Sequence, residues 1–219
     1  MHAAADFRQD FIALAIAQNA LRFGEFKTKA GRLSPYFFNS GAFCDGAALG
    51  ELTRYYAQAA LASGIEFDML FGPAYKGITL SAGMAIALAS MNRNVPYAFN
   101  RKETKDHGEG GLIVGAPLTG RVLIIDDVIS DGASKRESVE MIQAAGATPA
   151  GVLIALDRQE IVATGNALSA AQAFNQSTGV PVIAVATLAD IVHYLQQTGQ
   201  WQDNLTKIAI YRQQYGARI

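Results

Sequence analysis

From Phe67 onward the chain alternates short apolar runs with helical stretches, and this alternation narrows the possible folds more than any other feature. The runs cover 67–71, 97–99, 122–125, 152–156 and 182–186. In the run 122–125, Val and Ile occupy both faces, so such a strand has no side to offer to water. The stretches 78–90, 135–145 and 188–197 read as helices, the second closed by Gly146. Strands apolar on both faces and alternating with helices predict an α/β fold, a five-stranded, mainly parallel sheet flanked by helices.

The first sixty-odd residues follow another pattern. Residues 3–20 mix Phe7, Phe11, Leu14 and Ile16 with Asp6, Arg8, Gln9 and Asp10, which predicts an amphipathic helix. Residues 24–43 carry Gly31, Pro35 and Gly41 between aromatics and read as an irregular hairpin. A further helix over 49–62 ends at Gly64. We expect one domain over 1–219, with an N-terminal cap over about 1–45 and an α/β core over about 65–190.

The polar residues collect at one end of the runs. Tyr75-Lys76, Arg101-Lys102, Asp126-Asp127 and Asp157-Arg158 each follow a run at its C-terminal end. Open parallel sheets bind ligands at that rim. The formal net charge is −1, so an anionic ligand must be held by local groups, and duplex nucleic acid is not expected as a partner. The single cysteine, Cys44, excludes an internal disulfide and a cysteine-rich metal site, suits a reducing cytoplasm, and is expected to be a small buried hydrophobe. No stretch is long and apolar enough to span a membrane, and the start lacks the pattern of a signal peptide.

The segment Arg121-Val-Leu-Ile-Ile-Asp-Asp-Val-Ile-Ser-Asp-Gly-Ala-Ser134 carries the most chemistry. A buried strand delivers two carboxylates, then a loop of small residues, then a helix. The first backbone N–H groups of a helix lack internal partners and, with the helix dipole, make an anion seat. Carboxylates beside that seat can accept hydrogen bonds from vicinal hydroxyls. A phosphate seat next to a diol acceptor describes a ribose 5-phosphate. The bland reading is a strand end that caps a helix, but two adjacent acids on so apolar a strand are costly to bury unpaired. Residues 101–111 alternate charges, contain three glycines and lack an apolar anchor, so we expect a mobile loop able to close on a polyanion.

Residues 122–134 resemble the phosphoribosyl-pyrophosphate motif of the type I phosphoribosyltransferases. Phe23-Gly-Glu-Phe-Lys-Thr-Lys-Ala-Gly-Arg-Leu-Ser-Pro-Tyr-Phe-Phe-Asn39, Phe71-Gly-Pro-Ala-Tyr-Lys-Gly77, Phe99-Asn-Arg-Lys-Glu-Thr-Lys-Asp-His-Gly-Glu-Gly-Gly111 and Leu156-Asp-Arg-Gln-Glu160 resemble the bacterial orotate branch of that family. The resemblance implies the type I fold, the substrates phosphoribosyl pyrophosphate and orotate, and Mg²⁺ held mainly by substrate and water. It implies a homodimer in which Lys105 and His107 enter the neighbouring site. Asp126 and Asp127 would hold the ribose hydroxyls, and Ser130, Asp131, Gly132, Ala133 and Ser134 would seat the 5-phosphate, with Val128 and Ile129 leading into the loop. Tyr75, Lys76, Arg101 and Lys102 would meet the pyrophosphate. The backbone of Phe37 and Phe38, with Ser130 and Arg158, would bind orotate, and Lys29 would reach the same site.

The phosphate loop departs from the family's usual Thr-Ala-Gly-Thr: Ala133 lacks a hydroxyl donor, and Asp131 adds a negative charge where a dianion should sit. Two alternatives use the same fold. A purine or uracil phosphoribosyltransferase would have no need of the Arg158 guanidinium for a neutral base. A regulator that only senses phosphoribosyl pyrophosphate would have no need of a closing loop with Lys105 and His107. His193 and Trp201 read as a surface residue and a packing residue.

Overall fold

The computed structural model describes residues 6–28, 31–105, 111–162 and 167–217, with the backbone alone at 104 and 105. Helix α1 (Phe7–Ala17) starts at Asp6, whose side chain accepts the Arg8 N–H at 3.1 Å. Strands β1 (Leu21–Lys27) and β2 (Leu33–Phe38) follow as an antiparallel pair. Then come α2 (Gly46–Ser63), β3 (Met69–Gly72), α3 (Lys76–Ser90), β4 (Tyr97–Lys105), β5 (Gly111–Gly115), β6 (Arg121–Ile125), α4 (Ala133–Ala144) and β7 (Thr148–Asp157). The chain continues through α5 (Ala170–Thr178), β8 (Val182–Thr187), α6 (Leu188–Thr198) and α7 (Gln202–Tyr215).

The main sheet has the order β5-β4-β3-β6-β7-β8 and is parallel except for β5, which runs antiparallel to β4. Two apolar cores cover its faces. One holds Leu70, Leu123, Leu153 and Val185 with side chains of α1, α2, α3, α6 and α7. The other holds Phe71, Val122, Ile124 and Ile154 with side chains of α4 and α5. Successive residues of β6 thus enter opposite cores, and both sets are fully buried, as the two-faced apolar run required. Each such side chain contributes about 1.5–3 kcal/mol by leaving water.

The mainly parallel α/β fold agrees with the sequence, but the sheet has six strands rather than five. The sixth, β5, exposes only three apolar residues, Leu112 to Val114, between glycines, and so is too short to signal itself by pattern. Residues 101–105 of the expected loop extend β4 instead, and Lys105 pairs with Gly111 across a register irregularity. Residues 106–110 lie outside the described residues. Helix α5 was also not foreseen, although Ser169 and Gln172 form a reciprocal capping box: Ser169 Oγ accepts the Gln172 N–H at 3.1 Å and Gln172 Oε1 accepts the Ser169 N–H at 2.7 Å.

Cys44 is exposed, not buried. Its neighbour Phe43 takes the core position, and Cys44 falls in the bend before Asp45, which caps α2 by accepting the Ala48 N–H at 2.8 Å. Trp201 packs on Phe23 with ring centroids 5.4 Å apart, and Tyr211 packs on Tyr36, as expected for the terminal aromatics. His193 is exposed. Among the described residues no helix is long and apolar enough to cross a membrane.

Candidate functional site

Beyond Ile125 the chain leaves the sheet and presents Asp126 and Asp127, 7% and 8% exposed. The backbone here is clamped: the Asp126 N–H donates to Leu153 O at 3.0 Å and its carbonyl accepts the Tyr56 hydroxyl at 2.8 Å. Asp126 Oδ1 accepts the Asp127 N–H at 2.9 Å, and Oδ2 pairs with the Lys135 ammonium. Asp127 Oδ1 accepts the Val128 N–H at 2.8 Å, while Oδ2 accepts Ser40 Oγ at 2.9 Å and Lys76 Nζ at 2.6 Å.

The two neighbours titrate in opposite directions. Burial pushes the Asp126 carboxyl above the usual range, and the Lys135 charge offsets this only in part. Burial pushes Asp127 the same way, but the bonds from Lys76 and Ser40 outweigh it and hold Asp127 below the usual range. Asp127 is therefore the anion that keeps its charge over the wider pH span.

The loop that follows is pinned at its base. Val128 packs against the core on one face of the sheet and Ile129 is buried in the core on the other. Their side chains are thus structural, and the Val128 N–H is already bonded to Asp127 Oδ1. Ser130 and Asp131 are exposed. Gly132 has φ +74°, and a Cβ there would meet Arg136 Nη1 at 3.1 Å and Phe174 at 3.2 Å, so both conformation and space call for glycine. Gly132 supplies no side-chain cap to α4. Instead Asp131 Oδ1 accepts the Ala133 N–H at 3.1 Å, and Arg136 Nη2 donates to Asp131 O at 2.8 Å. The added acid of this loop turns onto the helix start and occupies one of the amides an anion would use.

A cleft of about 830 Å³ separates this loop from the end of β4. Asp131, Ala133 and Ser134 line one side, and Asn100, Arg101 and Lys102 the other. Lys102 Nζ lies 5.0 Å from the ring centroid of the exposed Tyr75. Asn100 Oδ1 accepts the Ala74 N–H at 2.9 Å and so ties the turn after β3 to β4. That turn is tight: a Cβ on Gly72 would meet Gly77 O at 2.1 Å. Lys76 opens α3 beside it, its side chain 51% exposed.

The hairpin β1–β2 reaches the same rim through polar contacts. Arg158 Nη2 donates to Ser34 Oγ at 3.1 Å, and its Nε and Nη2 both donate to Glu160 Oε1, at 2.9 and 2.7 Å. Tyr36 donates to the same oxygen at 3.0 Å and lies under the guanidinium, 4.6 Å from ring centroid to Cζ. Burial drives the Tyr36 phenol well above its usual range, so it stays a donor. Phe37 is half-buried and stacks on Phe26 at 5.4 Å, and Phe38 is buried.

The structure thus brings together Lys76, Asp126 and Asp127, and separately Arg101, Lys102, Asp131, Ala133 and Ser134, all at the C-terminal rim of the sheet. Lys29 and His107 lie outside the described residues, as does the side chain of Lys105. Sequence reasoning missed Ser40, Lys135 and Glu160. Ser40 carries no sequence signal, and Glu160 closes the family-like segment 156–160 without a role of its own. Lys135 carries one: it falls on the stripe of α4 that buries Ser138, Val139 and Ile142. Among the described residues no three or more His, Cys, Asp or Glu side chains gather as a metal cluster.

Residues 45–161 match the family model of the phosphoribosyl transferase domain. Along almost its whole length the chain is similar to two orotate phosphoribosyltransferases. One is from Laribacter hongkongensis, 60% identical over 213 residues, with 97% of this chain and 99% of that protein covered. The other is from Neisseria meningitidis serogroup C, 59% identical over 211 residues, with 96% and 98% covered. The crystal structure of orotate phosphoribosyltransferase from Francisella tularensis superposes with a TM-score of 0.86 at 42% identity, covering 95% of this chain and 100% of that one.

Proposed function

The chain belongs to the orotate phosphoribosyltransferases, and on that premise we propose how its residues divide the reaction. The enzyme transfers the ribose 5-phosphate group of phosphoribosyl pyrophosphate to orotate, releasing pyrophosphate, in pyrimidine biosynthesis. Asp126 and Asp127 accept the ribose hydroxyls. The backbone from Val128 to Ser134, at the start of α4, seats the 5-phosphate. The observation that carries this reading is the buried acid pair beside a helix start, with Lys76 shared onto Asp127 at 2.6 Å.

The bond from C1 of the sugar to pyrophosphate breaks before the bond to N1 of orotate is well formed. The sugar turns cationic and the leaving group gathers charge. Fixed cations near the leaving group therefore lower the barrier most. Lys76, Tyr75, Arg101 and Lys102 serve there, joined by Lys105 and His107 of the second protomer in a homodimer. The acid pair meanwhile presents negative charge to the cationic sugar. Arg158 meets the orotate carboxylate through its guanidinium, Phe37 and Phe38 present main-chain groups, and Ser130 and Lys29 complete that side. No protein nucleophile is required.

Mg²⁺ fits this donor set as an ion carried by substrate. Both carboxylates already hold a lysine, so a divalent cation bound directly to either would sit beside an ammonium, whereas a neutral hydroxyl would not be repelled. When bound, the ion would supply further positive charge to stabilise the departing pyrophosphate. The cap over 1–45 and the core over 65–190 act as one domain, in the cytoplasm. The test is loss of orotate absorbance on adding phosphoribosyl pyrophosphate and Mg²⁺, with hypoxanthine and uracil as control substrates. Asp127→Asn should abolish most turnover in that assay. Normal turnover by this variant refutes the role given to the acid pair.

A further inference from the structure

The first turn of α4 carries a charge where its packing pattern asks for an apolar residue. Lys135 lies on the buried stripe of Ser138, Val139 and Ile142, and its side chain is 8% exposed. The helix gains nothing from it, since a cation near a helix N-terminus opposes the dipole. An ammonium buried without a partner would also be strongly unfavourable. Its partner is Asp126 Oδ2.

The acid pair is therefore served by two unlike lysines. Lys76, on Asp127, is half exposed and can leave for another anion. Lys135, on Asp126, is enclosed and cannot. Asp126 is also held from within: Oδ1 accepts the Asp127 N–H, the carbonyl accepts the Tyr56 hydroxyl and the N–H donates to Leu153 O, while each carboxylate oxygen keeps a second lone pair for a sugar hydroxyl. We propose that Lys135 is a positioning residue for the substrate sugar: it fixes Asp126 Oδ2 and balances its charge, so that Asp126 remains a ribose acceptor while Lys76 exchanges between Asp127 and pyrophosphate.

This rests on reading Asp126 as a ribose acceptor. The titratable groups that face Asp126 are Lys135 of α4, Asp127 beside it, Tyr56 of α2 and, through Asp127, Lys76 of α3. Burial raises the Asp126 carboxyl and Lys135 draws it back. Without that charge the carboxyl takes up its proton at higher pH, and a protonated carboxyl is a poorer acceptor beside a cationic sugar.

The experiment compares wild type, Lys135→Met, Lys135→Gln and Asp126→Asn, following kcat/KM for each substrate from about pH 5 to 9. Lys135→Met should raise KM for phosphoribosyl pyrophosphate about tenfold at neutral pH and move the acid limb of its kcat/KM upward by about one pH unit, with KM for orotate within about twofold. Lys135→Gln keeps a hydrogen bond without the charge and must show the same acid-limb shift, which answers the question even if the methionine variant does not fold. A lysine that only stabilised the fold would lower the melting temperature and leave the acid limb in place. That result, with Asp126→Asn impaired, overturns the role of Lys135. A normal KM for phosphoribosyl pyrophosphate in Asp126→Asn instead overturns the ribose reading beneath it.

Discussion

Arg158 and Glu160 form a two-point pair, with Nε and Nη2 of the guanidinium donating to one carboxylate oxygen at 2.9 and 2.7 Å. The cation assigned to orotate is thus held in place by an acid two residues along the chain, with Tyr36 beneath it. An arginine so braced keeps its plane when the ligand arrives, and a lysine cannot reproduce that fork.

Arg158→Lys should therefore raise KM for orotate at least tenfold, since a charged hydrogen bond contributes about 1.5–3 kcal/mol. KM for phosphoribosyl pyrophosphate should stay within about twofold of wild type. Steady-state kinetics with each substrate varied separately decides it, and equal losses for both substrates would speak against the assignment.

Lys105→Ala should lower kcat much more than it weakens orotate binding, because its charge matters most as pyrophosphate leaves. If that lysine serves the second protomer, mixing Lys105→Ala with Asp127→Asn subunits restores activity. After random exchange about half of the dimers are mixed and each has one whole site, so about a quarter of wild-type activity returns. No recovery after exchange verified by mass spectrometry means that the segment acts within its own chain.

Asp131 holds the Ala133 N–H at 3.1 Å, so a sugar phosphate must displace it or use the remaining amides. Asp131 is exposed, which places its repulsion of the phosphate near the aqueous value of about 1 kcal/mol for unit charges 4 Å apart. Asp131→Ala combined with Ala133→Thr frees that amide and adds a hydroxyl. KM for phosphoribosyl pyrophosphate should fall roughly three- to tenfold at fixed Mg²⁺ and ionic strength, with KM for orotate nearly unchanged. An unchanged or higher value shows that the loop tolerates the acid.

At the opposite end of β6 from the site, Asp68 accepts bonds from Arg121, from Nε at 3.0 Å, from Nη2 at 2.8 Å and from the backbone N–H at 2.8 Å. These hold its carboxyl at about 2 instead of the ordinary 3.8. A depressed acid contributes stability above its unfolded value and loses it as the pH falls, here between about 4 and 2. A carboxyl-carbon NMR titration should give a wild-type midpoint near 2 and, in Arg121→Gln, a midpoint returned toward 3.8. A wild-type midpoint at 3.8 or higher refutes the pairing in solution.

The parallel core was legible because two-faced strands such as Val122 to Ile125 admit only one setting, and because charged groups after each strand can gather only at one rim. The edge strand β5 was not, since three apolar residues between glycines read equally well as a loop. Asp126 and Asp127 were legible as costly acids on an apolar strand. Their partners were not equally so. Ser40 meets Asp127 across 87 residues of sequence through a short turn that no pattern marks. Lys135 broke the pattern of its own helix, and that irregularity was the available clue. Cys44 misled because composition averages over a residue type, whereas exposure depended on Phe43 taking the core beside it.

Val128 and Ile129 lie on opposite faces of the sheet, the first packed against one core and the second buried in the other. The base of the loop after β6 is therefore set when the two cores close. Fixing a residue's backbone costs about 1–2 kcal/mol in conformational entropy, and at the base of this loop that loss falls on folding, not on binding. If this loop seats the sugar phosphate, affinity is thereby coupled to core packing: a methyl group removed from under Ile129 should loosen the loop base and weaken the substrate before it unfolds the protein.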